Sequence, residues 1–563
     1  MNAEATKNPA AFHRQSDYEV LVVNSCLWAA AGDALGWMTE LARDSHGVRH
    51  RTGLERVQKP VNWRRLIGGK NGVKVDFSAG TYSDDTQLRL AVSRSIRGNG
   101  AFDVEAFAKI EMTVWQGYSL GAGIGSKAAA THLSKRGVNW FSNFFDTSRQ
   151  KYITAGGNGA AMRVQPHVWS ARSTQQEMVR QVLRDSIVTH GHPHGFCGAV
   201  FHALCLWDTF ADRKIPGLGR AKDYIDFLGE LPALIQGDSE LAQFWLPSWE
   251  RAADSTISSA IKVFQEDAFR DIQIVQKTIN YKNKNTYKEV LGQIGCLTDE
   301  FRGSGFKTAL AALCLSMIYS EGDIEYALAA SANELESDTD TIATMAGALL
   351  GALSERSPIW SIQDRAYLEC EARRLACIGS GIDQPSFSYP DVSGWEPPSN
   401  QSDSVARFNG ALALTGLGVL TPRGDEYQQG TSIWQWFELP FGQTVFAKRR
   451  SEISRAVVAN QMPGKLKNSQ KPGLANVYQD SFAFDEFSDR KNNHRGSGAS
   501  RLENLSSFPG IDEATDIVIA SGFDDATIGH LIKLCIDKEK SIELVVAFSA
   551  IVAKARLARM KRK

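Results

Sequence analysis

The chain has 563 residues, 43% of them apolar and 22% charged, which is typical of soluble globular proteins. That length predicts two or three domains. Lysine plus arginine equals aspartate plus glutamate, 63 of each, so no net field directs the chain to nucleic acid or a membrane. The eight cysteines form no C-x-x-C pair, which argues against structural zinc and favours buried thiols in a reducing compartment.

The N-terminus lacks the apolar core of a signal peptide. The apolar run over 544–553 is about ten residues long, too short to span a bilayer. These two features together predict a cytoplasmic protein.

Residues 18–380 carry apolar side chains at helical three- and four-residue spacing, with glycine-rich turns between. No β-α-β alternation appears, so we expect a mainly α fold without a Rossmann-type sheet. The composition changes near residue 380, and the rest predicts mixed structure. The expected segments are a helical domain over 18–380, a linker over 381–404, a small strand-containing module over 405–460, a flexible segment over 461–510, and a helical region with a basic tail over 511–563.

Two acidic clusters carry the strongest chemical signal: Ser83-Asp84-Asp85-Thr86 and Ser337-Asp338-Thr339-Asp340-Thr341. Carboxylates and hydroxyls are the ligands that Mg²⁺ and Mn²⁺ prefer. About 250 residues separate the clusters, so only the fold can unite them into one site. If it does not, each is an ordinary helix N-cap.

Small residues follow the second cluster on the predicted helix. They predict that another helix approaches this one closely and holds the metal-binding turn rigid. They are Ala343, Ala346, Gly347, Ala348, Gly351 and Ala352.

Five motifs in one order over residues 20–355 resemble the ADP-ribosylglycohydrolase family, of the dinitrogenase-reductase-activating glycohydrolase type. Ser83 stands where that family usually has threonine, and it keeps the hydroxyl. Thr189-His190 also lies where the family often has a Ser/Thr-His pair. The five motifs are Ala31-Gly32-Asp33-Ala34-Leu35-Gly36 followed by Glu40, Tyr82-Ser83-Asp84-Asp85-Thr86-Gln87-Leu88, Gly123-Ile124-Gly125-Ser126, Gly157-Asn158-Gly159-Ala160-Ala161-Met162-Arg163, and Asp338-Thr339-Asp340-Thr341.

The resemblance implies an all-helical domain that binds two Mg²⁺ ions, with Mn²⁺ as an alternative. It also implies a hydrolase that releases ADP-ribose from a modified protein side chain. Asp84 and Asp85 are then catalytic through the metals, and Glu40 is a metal ligand, a general base or a solvated helix-end glutamate. The implied metal ligands are Ser83, Asp84, Asp85, Asp338, Asp340 and Thr341.

The same resemblance implies a substrate subsite. Glycines let backbone N–H groups approach a phosphate closely. Arg163 is either a ligand or a structural ion-pair partner, and His192 and His194 are expected to be solvated. The implied substrate-binding residues are Gly123, Gly125, Gly157, Asn158, Gly159 and His190.

The acidic run and the Gly-Ile-Gly loop resemble the bacterial arginine-directed branch, so arginine is the favoured acceptor. One alternative is removal of ADP-ribose from nucleic acid or a small metabolite, which the basic tail over 554–563 could serve. Another is a protein that neutralises a toxin by occlusion. The expected partner is an ADP-ribosylated protein, with the C-terminal third as a candidate recruitment module.

Overall fold

A computed structural model of the chain describes residues 8–279, 285–464, 508–539 and 542–560. The chain divides into two compact units, Met1–Tyr478 and Gln479–Lys563. The first unit is mainly helical. Its helices are α1 Gln15–Trp37, α2 Ser45–Thr52, α3 Asp84–Ser95, α4 Val104–Ala106, α5 Met112–Trp115, α6 Ile124–Leu133, α7 Gln165–Trp169, α8 Gln175–Ile187, α9 Pro193–Asp212, α10 Leu218–Leu228, α11 Leu231–Gln236, α12 Leu246–Ala253, α13 Ile257–Ile279, α14 Thr286–Gln293, α15 Gly305–Ile318, α16 Ile324–Ala332, α17 Thr339–Gly351 and α18 Arg365–Gly379.

Helix α1 is the central helix of this unit. It is long and apolar enough to cross a membrane, yet 94% of its most apolar window is buried inside the protein. It packs along α17 and α18. A soluble core helix has the same composition, so length and hydropathy alone do not indicate a membrane span here.

Glycines allow α1 and α17 to come into backbone contact. A Cβ atom on Gly32 would overlap the carbonyl of Ala343, and one on Gly36 would overlap the backbone of Thr339 and Asp340. On α17, Gly347 lies in the same way against the backbone of Trp28. The close approach predicted from the small residues of α17 is therefore present, and its partner is α1.

Three small antiparallel sheets complete the first unit. Strands β1 (Trp63–Ile67) and β2 (Val73–Phe77) form a hairpin inside the segment that the sequence predicted as all-helical. The other two sheets are β3-β4-β5 and β6-β7-β8. Their strands are β3 Val405–Phe408, β4 Ala411–Leu414, β5 Gly418–Val419, β6 Thr421–Gln429, β7 Ser432–Glu438 and β8 Thr444–Arg450.

These strands are not separate from the helices. Leu414, Phe437 and Val445 belong to the same buried core as the helical residues. The preceding segment, expected as a linker, also packs inward: the Trp395 indole donates to the Lys109 carbonyl at 2.6 Å, and the Tyr389 hydroxyl donates to Glu111 at 2.5 Å. The mainly helical fold with a mixed C-terminal region is confirmed, with the strands built onto the helical core.

The described residues of the second unit form three helices: α19 Ile511–Ala520, α20 Asp525–Glu539 and α21 Ile542–Met560. Its core is small, and the Phe508 and Phe548 rings meet edge to face at 5.6 Å. The segment predicted as flexible lies outside the described residues over 465–507.

Among the cysteines, all except Cys370 and Cys377 are buried, in agreement with the predicted buried thiols. No disulfide joins them in the described part of the chain, where all eight lie.

The α1–α17 contact generates a prediction. Gly36→Ala should destabilise the protein by about 2 kcal/mol or more, because the new methyl group forces two packed backbones apart. Gly219→Ala in α10 is the matched control: its Cβ meets open space within the described residues, so the substitution should be neutral or slightly stabilising. Urea unfolding of both variants measures the difference, and equal stabilities would contradict the role given to this contact.

Candidate metal centre

The first acidic cluster forms the turn that starts α3. Ser83 is the N-cap residue, and its hydroxyl accepts from the Asp85 N–H at 3.3 Å. Asp84 and Asp85 occupy the first turn, where the helix dipole favours negative charge. All three residues are buried. The helix-cap interpretation is thus correct for Ser83, but it does not account for two adjacent buried carboxylates.

The second cluster starts α17 and differs from an ordinary cap. Asp338 occupies the N-cap position but makes no side-chain capping bond. Instead its Oδ2 accepts from the Asn158 amide at 2.9 Å. Asp340 and Thr341 follow in the first turn and are buried. A cap residue that gives up its capping bond is oriented by another group, here Asn158.

The fold brings the two clusters together. The Thr341 hydroxyl lies 3.5 Å from Asp85 Oδ2. Carboxylate oxygens of Asp33, Asp85 and Asp340 lie within 4.8 Å of one another, and all three residues are buried. This spacing suits ligands that share a cation.

Asp33 is the residue that sequence reasoning left out of the site. Its Oδ1 accepts from the Ser83 N–H at 2.9 Å, and its Oδ2 accepts from the N–H and the hydroxyl of Thr86 at 2.9 and 2.6 Å. Asp33 therefore ties helix α1 to the turn that carries Asp84 and Asp85. The available signal was its place between Gly32 and Gly36 on an otherwise apolar helix.

Glu40 also faces this cluster. Its Oε2 accepts from Arg65 of β1 at 2.9 Å, and the ion pair is mostly buried. Burial raises the pKa of Glu40, and the charge of Asp338 adds to this while Arg65 opposes it. The interpretation of Glu40 as a solvated helix-end residue is wrong.

The carboxylates repel one another strongly. Burial raises the pKa of Asp84, Asp85 and Asp340 well above the usual range, and the charges of their acidic neighbours raise it further. Asp85 Oδ1 is buried and has no hydrogen-bond partner among the described residues. Buried anions in this arrangement require protons or a cation, so the donor set fits hard divalent metals.

The first glycine loop opens the N-terminus of α6. Gly123 is the N-cap residue of this ten-residue helix. Within the described residues, a Cβ on Gly123 would meet nothing within 4 Å, and one on Gly125 would meet only His190 and Ala155 near 4 Å. With no side chain at these positions, a ligand can approach the backbone closely at this helix N-terminus, which suits an anion.

His190 lies beside both glycine loops. Its Nε2 is 3.6 Å and 3.4 Å from the Cβ positions of Gly157 and Gly159. Its Nδ1 lies 2.7 Å from the Thr189 hydroxyl, which itself accepts from Arg163 at 2.9 Å. The Thr189 hydroxyl also faces the Ser186 carbonyl at 3.5 Å, so either Nδ1 or Nε2 of His190 can carry the hydrogen. Burial and the Arg163 charge lower the pKa of His190 to about 3, so the ring is neutral.

Arg163 is a structural residue. It is fully buried, pairs with Asp185 at 2.9 Å and donates to the Gly159 carbonyl at 2.7 Å. Of the two interpretations of Arg163 from sequence, the ion-pair partner describes the structure.

His192 and His194 lie outside the acidic cluster. His194 contacts the Ser304 hydroxyl at 2.9 Å, and the His192 ring accepts from the His194 N–H at 3.2 Å. Both residues are partly buried, not solvated as the sequence predicted.

Comparison with known proteins decides the family. The model of the ADP-ribosylglycohydrolase family matches residues 15–374, more than half of the chain. The chain belongs to the ADP-ribosylglycohydrolase family. This confirms the family predicted from the five motifs.

Two curated relatives are similar to the chain. ADP-ribosyl-[dinitrogen reductase] glycohydrolase of Rhodospirillum rubrum is 27% identical over 167 residues, which is 30% of this chain and 50% of that protein. ADP-ribosylhydrolase ARH3 of Xenopus tropicalis is 24% identical over 302 residues, 52% of this chain and 79% of that one. The chain thus spans half the length of the first relative. A solved structure titled ADP-ribosylglycohydrolase-related protein complex is 19% identical, with a TM-score of 0.38 over 65% of this chain and 99% of that one.

The raised pKa values of the acidic cluster predict a pH-dependent effect of metal on stability. A cation requires deprotonated carboxylates, so the stabilisation by Mg²⁺ should grow as pH rises from about 5.5 to 8. At saturation it should reach about 2.7 kcal/mol when Mg²⁺ exceeds its Kd a hundredfold.

Calorimetry with Mg²⁺ and with EDTA at each pH isolates this effect. Several buried histidines have lowered pKa values, which also make stability depend on pH, but they do so equally with and without metal. A metal effect that is constant with pH, or that survives in Asp85→Asn, would contradict the prediction.

Proposed function

We propose that the chain is a Mg²⁺-dependent hydrolase that cleaves the glycosidic bond between ADP-ribose and a modified protein side chain, with arginine as the favoured acceptor. The observation that carries the proposal is the convergence of buried carboxylates from α1, α3 and α17, in which Asp85 Oδ1 has no hydrogen-bond partner among the described residues. Family membership supports the hydrolytic class of reaction.

The proposed metal ligands are those that the motifs imply: Ser83, Asp84, Asp85, Asp338, Asp340 and Thr341. A pair of Mg²⁺ ions, or Mn²⁺ ions, would orient the ribose diol and lower the pKa of a bound water. The protein keeps the ligands in place through Asp33, which holds the first turn, and Asn158, which holds Asp338.

The glycine loops supply the proposed binding site for the ADP part. Gly123 and Gly125 present N–H groups at the start of α6, and the neutral His190 ring places Nε2 beside Gly157 and Gly159. The His190 ring is neutral over the whole physiological pH range, since its pKa is lowered to about 3.

The reaction breaks the bond between the anomeric carbon and the side-chain nitrogen. The oxygen of a water molecule bonds to that carbon, one water proton moves to a base, and the leaving guanidine nitrogen takes up a proton. Glu40 is the proposed base, because it faces the acidic cluster and Arg65 fixes its position.

A substrate panel tests the proposal directly. The purified chain with Mg²⁺ should release ADP-ribose from an arginine-linked substrate faster than from serine-linked or nucleic-acid-linked substrates. Faster release from nucleic acid or a metabolite would favour the alternative in which the basic tail recruits the substrate. Absence of release from every substrate would overturn the proposal. The proposal also includes a cytoplasmic location for the protein and recruitment of its substrate by the C-terminal third.

Loss of one metal ligand should abolish turnover. Asp85→Asn and Asp340→Asn should each lower kcat/KM by more than about 100-fold, because each removes a charge from the ligand set. Asp299→Asn is the control, since Asp299 is exposed on a loop. Initial rates on arginine-linked ADP-ribose measure the effect. If the variants lost turnover but still protected cells from a toxin, occlusion would be the better description.

Substitution at Glu40 separates a base from a ligand. If Glu40 is the base, Glu40→Gln should lower kcat by about 100-fold or more while the Kd for Mn²⁺ stays near the wild-type value. Parallel rate and metal-titration measurements distinguish the roles. A weaker Kd in proportion to the lost rate would instead make Glu40 a metal ligand.

A further inference from the structure

The sheet β6-β7-β8 lies outside the family-matched segment, yet it reaches the residue before the first acidic cluster. The Tyr82 hydroxyl donates to Asp364 Oδ2 at 2.6 Å. Thr444, the first residue of β8, donates to the same carboxylate twice: its N–H to Oδ2 at 2.8 Å and its hydroxyl to Oδ1 at 2.7 Å. Asp364 thus joins the sheet to Tyr82, which directly precedes Ser83.

The backbone around Asp364 is held in one conformation. Its φ of 56° lies in the left-handed region, which is unfavourable for a non-glycine residue and persists where the surroundings enforce it. The neighbouring Gln363 N–H donates to the Gly80 carbonyl at 3.0 Å. A Cβ on Gly80 would overlap the Ser361 carbonyl. The loop before α18 is therefore fitted against the turn that leads to the metal ligands.

A second set of contacts connects the same sheet to Glu40. Phe77 of β2 packs edge to face on Trp436 and Phe446, each at 6.3 Å, and on its other side meets Trp37 at 5.0 Å. Trp37 in turn lies under the Arg65 guanidinium at 5.6 Å. Arg65 is the partner of Glu40, so a chain of contacts also runs from β6-β7-β8 to Glu40.

We propose that Thr444 is a positioning residue of the metal centre. Its hydroxyl fixes Asp364, Asp364 fixes Tyr82, and Tyr82 fixes the turn that holds Ser83, Asp84 and Asp85. The inference rests on the proposed metal centre. It assigns the sheet outside the family-matched segment a specific role in addition to its packing in the core.

The test measures metal affinity without substrate. Thr444→Val removes the hydroxyl at nearly constant volume and should weaken the Kd for Mn²⁺, measured by electron paramagnetic resonance, by about 10-fold, as loss of outer-shell support commonly does. Thr444→Ser keeps the hydroxyl and should bind Mn²⁺ as the wild type does. Thr421→Val is the matched control, because Thr421 is exposed on β6 of the same sheet.

The variant Tyr82→Phe covers the case in which Thr444→Val folds poorly, and where both fold they form a double-mutant cycle. Tyr82→Phe removes only the other hydroxyl on Asp364 and should weaken Mn²⁺ binding to a similar degree. If both act through Asp364, the double variant should bind about as weakly as either single variant, whereas independent effects would multiply.

Three outcomes would overturn the inference. One is wild-type Mn²⁺ affinity in Thr444→Val combined with lower unfolding stability in EDTA, which would show a purely structural role. Another is equal weakening by Thr444→Ser. The third is a wild-type chain that binds no Mn²⁺, which would also refute the proposed metal centre. Normal Mn²⁺ binding without release of ADP-ribose would refute the proposed reaction and leave the positioning role intact.

Discussion

Backbone contact between α1 and α17 is the constraint on which the candidate site depends. The first acidic cluster is bonded to Asp33 of α1, and the second cluster begins α17. These helices come together only because Gly32 and Gly36 have no side chain where the backbone of α17 passes. With a Cβ at either position, the distance between Asp85 and Asp340 would grow, and the carboxylates could not share an ion.

The same contact concentrates charge at an electrostatic cost. Asp84, Asp85 and Asp340 are buried side by side, and burial and mutual repulsion raise the pKa of each. Asp33 differs from them, because both its oxygens accept bonds from the turn. The cluster thus contains carboxylates that hold the protein together and carboxylates that leave an oxygen for a cation. This division explains how a cluster of acidic side chains can remain buried in the core.

The sequence predicted the helical core, the contact with α17 and most of the cluster, because glycines and short acidic runs leave direct signals. It named Asp33 in the first motif but left it out of the site, because the sequence does not show that this aspartate accepts from backbone N–H groups. It missed the hairpin β1–β2, although Val73, Val75 and Phe77 alternate inward as a strand requires. It could not show that the C-terminal strands pack on the helices. Alternation predicts which face of a strand is buried, but not which element covers that face.

The C-terminal strands are part of the support of the candidate site because of where they lie in the fold, and not only because of their composition. Like charges in a cluster repel one another. The turns that carry them must therefore be held in place by other parts of the protein. Helix α1 holds one side through Asp33, and the loop before α18 holds the other through Tyr82. Thr444 in turn holds that loop, because its N–H and hydroxyl both donate to the Asp364 carboxylate. The sheet therefore supports the first acidic turn through Asp364 and Tyr82, and the geometry of the proposed ligands depends on residues far outside the motifs that identify them.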